Sequence, residues 1–305
     1  MTPEKNRITI YGFILTIFVI WLHAGESLVS SIPGQVAVPG FFIMSGCLFF
    51  QGVTEENAKI KITEKLRKRV QTLLIPYLLW NFLYYAVYLC FGKASFSLPV
   101  FFTAVFHYSC NPVFWYLFQL ILITVLTPVL YFILRKRISG ILFLSFVFLL
   151  AAFWGKVPFH YCNEDALFYY SLGAFYALCG KKEVPFAGAL AGFTFFCLAE
   201  KLVPAACMNA VSVGLRASGA VLLWRITGFF SVKGKLPEWM KIGFFIYATH
   251  YLVIRAVWAA GFSGSIPVYF LMPVICIFTG YALFVIMKRF LPRVLSVLTG
   301  GRGLS

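Results

Sequence analysis

A few side chains able to do acid–base or electrostatic chemistry interrupt the long apolar runs of this 305-residue sequence: His23 with Glu26, Asn81, Gln119, Arg216, Arg225, His250 and Arg255. Polar groups are costly in hydrocarbon, so such residues face a bundle interior and mark function more often than they would in a soluble core. A carboxylate three residues after a histidine shares its helix face. Glu26 can therefore orient His23, hold one tautomer and raise its basicity, which is the arrangement of a general base. At ~1.5 Å of rise per residue, His23 lies ~22 Å above the start of its run near Ile8, and Arg255 ~21 Å above Lys241. Gln119, six residues into a run descending from the other side, falls in the same layer of a ~30 Å core. Arg216, Asn81 and His250 fall near the midplane. The spacing predicts a polar cavity open toward the outside. For His250 a structural role is the stronger reading, and Arg225, near the inner boundary, is read as snorkelling.

The elements that must position these residues follow from composition. Apolar residues make up 61% of the chain and charged residues 12%, with a mean hydropathy of +0.87. A water-soluble fold of that composition would lack a polar surface, so lipid is the main solvent. The predicted fold is all-α: a polytopic transmembrane bundle forming one domain over residues 1–305. Ten spans are expected, at 8–28, 35–52, 70–92, 113–134, 138–155, 164–180, 184–200, 206–230, 241–261 and 266–288. The formal charge of +16 reads as a topology signal and not as a nucleic-acid surface, because the basic residues gather in alternate gaps. Placing both termini in the cytoplasm puts Lys5, Arg7, the run Lys59 to Arg69, Arg135 to Arg137, Lys181, Lys182 and Lys288 inside. It leaves Lys93, Lys156 and Lys201 outside. The N-terminal run has no small-x-small cleavage site before Leu22 and reads as a retained first helix.

Several patterns carry less. The loop Val53 to Arg69 reads as a basic amphipathic helix, resting on anionic lipid or admitting an anionic ligand. The loop Lys93 to Pro112 covers a substrate site or lies in the interface. Eight cysteines without a C-x-x-C pair argue against a metal centre, and a Cys110–Cys162 disulfide is open. Gly188 and Gly192 predict close helix approach, and Trp115, Tyr116, Trp154 and Trp258 fit interfacial belts. No phosphate-binding glycine loop appears.

Five segments in order carry a resemblance. His23 closes Ile20-Trp21-Leu22-His23. Phe41, Phe42, Ser45 and Gly46 follow Pro39 as F-F-x-x-S-G. Arg69, Leu73, Leu74, Pro76, Tyr77 and Trp80 form R-x-x-x-L-L-x-P-Y-x-x-W. Trp115, Tyr116 and Leu117 precede Pro128, and Ile246, Tyr247 and His250 form I-Y-x-x-H. From Arg7 to Arg289 the sequence resembles the integral-membrane acyltransferase 3 family, which includes bacterial O-acetyltransferases of surface polysaccharides. It departs from that pattern twice. An arginine commonly stands where this chain has Gly12, and another commonly follows the tryptophan-aromatic-leucine, where Phe118 and then Gln119 stand here. Arg216 or Arg255 supplies the missing charge, or the donor differs, or the activity is lost.

The resemblance implies transfer of an acyl group, most often acetyl, from acetyl-CoA or another acyl-CoA to a hydroxyl of a glycan or lipid-linked acceptor, in a bacterial inner membrane and without a metal. Lys65, Arg67, Lys68, Arg69, Arg135, Lys136 and Arg137 would draw in the CoA phosphates. His23 would act as base or acyl carrier with Glu26 orienting it, and Gln119, Arg216, Arg255, Ser45 and Asn81 would bind substrate or the oxyanion. A transporter or flippase using the same cavity, or a non-catalytic scaffold, is the alternative. Absence of repeated halves weighs against the transporter.

Overall fold

The computed structural model describes residues 3–25, 31–154, 163–180, 183–230 and 234–304. Among these no strand occurs. The helices in chain order are α1 (Pro3–Ala24), α2 (Ser31–Phe50), α3 (Ala58–Arg69), α4 (Ile75–Cys90), α5 (Leu98–Phe106), α6 (Trp115–Val125), α7 (Thr127–Leu134) and α8 (Arg137–Leu149). They continue with α9 (Glu164–Phe175), α10 (Phe186–Leu202), α11 (Met208–Phe229), α12 (Glu238–Lys241), α13 (Gly243–Val257), α14 (Ile266–Phe290) and α15 (Pro292–Thr299). Each predicted span is met by a helix or a helix pair. Length and apolar composition qualify five helices to cross a membrane, Glu4–Ala24, Ala58–Cys90, Ala205–Phe229, Gly243–Phe262 and Ile266–Phe290, and a bent pair would make six. Gly34–Phe50 and Arg137–Phe153 are apolar but shorter. The chain is thus a multi-pass, all-helical membrane protein.

Proline explains the interruptions. α6 and α7 meet at 64°, where Pro128 in the first turn of α7 has no N–H to continue the ladder. Between α3 and α4 the segment Val70–Leu74 widens into a π-turn, with the Ile75 N–H bonded to the Val70 carbonyl. Pro76 follows and cannot donate to the carbonyl of Thr72. The predicted amphipathic segment is α3: Ile62 is buried while Ile60 is exposed. The outer loop also holds a helix, α5, which Ser97 caps by accepting the Val100 N–H.

Two expectations need correction. A Cβ on Gly192 would meet nothing within 4 Å, and one on Gly188 would meet only its own neighbours Val184 and Pro185. The close approach lies instead between α2 and α9. There a Cβ on Gly46 would stand 2.1 Å from the Tyr170 carbonyl oxygen, and one on Gly173 1.9 Å from that of Ile43, so only glycine lets these backbones touch. Tyr116, assigned above to an interfacial belt, is buried and bonded to Ser45 across 3.3 Å.

Candidate active site

Two histidines from distant parts of the sequence meet. His23, one residue before the end of α1, faces His250 of α13 with ring centroids 5.5 Å apart, and Tyr251 with centroids 6.4 Å apart. Hydroxyl bonds fix α13 in place: Tyr84 donates to the Ala248 carbonyl at 2.9 Å, and Tyr247 to the Val113 carbonyl at 2.6 Å. His250 is wholly buried. Its Nδ1 lies against the Tyr247 carbonyl in a short contact, which acts only as an acceptor, so Nδ1 carries the proton. Nε2 is then a bare acceptor, and it has no partner among the described residues. A buried unsatisfied acceptor costs about 1–3 kcal/mol. The neighbouring His23 ring makes no hydrogen bond to it in this arrangement. Tyr269 also has a buried hydroxyl without a partner, and its ring approaches Gly25, two residues beyond His23.

Other candidates are placed elsewhere. Arg216 pairs with Asp165 at the start of α9, 3.1 Å away. Arg255 is exposed in the last turn of α13, where a cation suits the helix dipole, and it packs over Trp258 at 5.7 Å. Neither arginine is brought against His23. Gln119 is buried and accepts the Asn163 N–H at 2.9 Å, tying α6 to α9. Asn81 is wholly buried and donates to the Val105 carbonyl at 3.2 Å, holding α5 on α4. The predicted single layer of His23, Gln119 and Arg255 is therefore not one cluster. Glu26 and Cys162 lie outside the described residues. Arg225 is paired with Glu183 and does not simply snorkel.

A cavity of about 310 Å³ opens at the end of the bundle that holds both chain termini. Its walls include Ile8, Gly12 and Thr16 of α1, Ser45, Tyr116 and Tyr247, with Arg69, Lys241 and Arg302 among the lining residues. Of the seven predicted entry cations only Arg69 lines it. Lys65 caps carbonyls at the end of α2, including that of Gln51 at 2.9 Å. Arg135 faces Glu55 at 3.7 Å, and Arg67, Lys68, Lys136 and Arg137 are exposed. From Thr16 at the cavity to His23 is two turns of α1, about 10 Å. Tyr247 touches both regions, lining the cavity and contacting His250 with its carbonyl and ring.

Compared with known protein families, residues 13–289 match the acyltransferase 3 model, described as an acyltransferase domain. The chain belongs to the acyltransferase 3 family. No curated protein and no solved structure matches it. Within this membrane acyltransferase both histidines lie in the matched range, while Arg302 lies beyond it. Among the described residues no group of three or more His, Cys, Asp or Glu side chains is gathered to hold a metal ion. Sequence reasoning missed His250 as the neighbour of His23, Asp165 as the partner of Arg216, and Arg302. The acidic pair Glu164-Asp165 opening a span and the glycines around Arg302 were the available signals.

Proposed function

We propose that this acyltransferase moves an acyl group, acetyl in the simplest case, from a cytoplasmic acyl-CoA to a hydroxyl of a surface glycan or lipid-linked acceptor on the outer side. It would do so as a ten-span protein of a bacterial inner membrane with both termini cytoplasmic, the orientation that the charge asymmetry favours. The observation that carries the reading is His23 set against the unpartnered Nε2 of His250. An N–H of His23 donated to that nitrogen leaves the other ring nitrogen of His23 as a base. On this reading His250 would share the orienting role expected of Glu26, which lies outside the described residues.

In the reaction, His23 removes the acceptor's hydroxyl proton as the oxygen attacks the thioester carbonyl carbon. The C–S bond breaks, its electron pair leaves on the CoA sulfur, and the imidazolium of His23 returns the proton to that thiolate. On this reading the buried Tyr269 hydroxyl would donate to the oxyanion. Ser45 and Tyr116 offer hydroxyls to the amides of the donor arm in the cavity, and Arg69 offers charge to its phosphates. Purified protein given acetyl-CoA should release free CoA thiol and acetylate an envelope acceptor detectable by mass spectrometry. Absence of thiol release across acetyl- and longer acyl-CoAs, in folded protein with envelope extract present, would overturn the reading.

A further inference from the structure

Arg69, Lys241 and Arg302 line the cavity, and among the described residues no carboxylate does. Among the described residues none of the three forms an ion pair, whereas Arg7, Arg135, Arg216, Arg225 and Lys288 all do. Arg302 is part-buried. Its guanidinium packs over Phe244 at 4.4 Å and gives one bond of 3.4 Å to the Thr299 carbonyl. Burial, with the Arg69 charge adding to it, pushes this guanidinium down to about 10, so it stays charged at neutral pH. Like charges held together out of bulk water repel, and a bound anion removes that repulsion.

The segment that carries Arg302 is built. Trp80 donates from Nε1 to the Leu298 carbonyl at 3.0 Å, and Leu295, Leu298 and Thr299 of α15 are buried. Gly300 and Gly303 have φ of +59° and +79°, values that side chains other than glycine adopt with strain. A Cβ on Gly300 would stand 2.6 Å from Thr72 Cα, and one on Gly303 2.9 Å from Ile242 Cγ2. The Gly301 N–H bonds the Ser296 carbonyl at 2.8 Å. These turns close the helix and leave Arg302 among the residues that line the cavity.

We propose that the C-terminal tail is a working part of this cavity, and that Arg302, with Arg69 and Lys241, binds a phosphate or pyrophosphate group of the donor. The donor's identity rests on the acyl-CoA reading above; the anion site rests on the cavity alone. The test titrates the full chain in detergent with coenzyme A and, separately, with inorganic pyrophosphate. Both should bind, and Arg302→Gln should weaken both about 10- to 100-fold, the loss of a charge-assisted hydrogen bond. Arg302→Lys should recover part of this, and Lys241→Gln, which leaves the tail intact, should weaken both ligands too. Pyrophosphate binding that depends on Arg302, without coenzyme A binding, would keep the anion site and overturn the acyl-CoA reading. Coenzyme A binding unchanged in folded Arg302→Gln would overturn this inference and leave that reading standing. Failure of both anions to bind any form would also overturn it.

Discussion

The two ends of the bundle hold polar groups of opposite kinds. At one end two imidazoles lie tilted by 40° with centroids 5.5 Å apart, and Nε2 of the buried one has no hydrogen-bond partner among the described residues. At the other, three cations line a cavity that has no carboxylate among the described residues. Nearby, Arg7 and Arg225 share Glu183, with Arg7 also stacked over Trp224 at 3.9 Å. That cluster holds its own carboxylate and works as a brace between α1 and α11. A cation with its own carboxylate holds helices together, while cations without one imply an anion that arrives from solution. On the proposed function, the first would be a reacting end, the second a binding end, and the third a brace.

The sharpest way to break it is His23→Ala. If the histidine end reacts and the cavity only binds, transfer should fall about 10²- to 10⁴-fold with donor affinity unchanged, measured as kcat and KM on inserted protein. Equal activity in the variant would dissolve the distinction. Arg69→Gln should do the reverse, raising the donor KM about 10- to 100-fold while kcat holds. A fall confined to kcat would place Arg69 in the chemistry.

His250 offers a finer cut. Asparagine places an amide N–H near the position of Nδ1 and nothing at Nε2, whereas glutamine places a polar atom near Nε2. His250→Asn should therefore lower kcat about tenfold, the loss of one hydrogen bond, and His250→Gln should lose less. Similar losses in both, matched by lower melting temperatures, would reduce His250 to a packing residue. Smallest is Glu183→Gln in the brace, which should lower the melting temperature by about 2–4 °C and leave donor KM unchanged. A changed KM would show that brace and cavity are coupled.

How far the sequence reached differs from residue to residue. The helix at each predicted span was legible because apolar run length is a property of consecutive residues, and so was α3, whose basic and apolar residues alternate on a helical period. His23 was legible as a polar residue in an apolar run. The approach of His250 was not, since that residue is distant in sequence and meets His23 only when α1 and α13 pack, while Glu26 lies outside the described residues. The entry cations were read from charge density, yet only Arg69 faces the cavity, because density says nothing about which way a side chain points.

Sequence alone determined the class of this protein: a multi-pass helical membrane protein whose ordered motifs resemble the acyltransferase 3 family. Hydrophobic length and motif order are local, and each is written in adjacent residues. Tertiary structure decided the rest: that Arg216 is neutralised by Asp165, that Arg255 packs over Trp258 on an exposed face, and that a tail with glycine turns brings Arg302 into the cavity lining. Pairing of buried polar groups is set by which helix faces meet, and that is fixed only when close contacts such as Gly46 against Tyr170 and Gly173 against Ile43 bring the helices together.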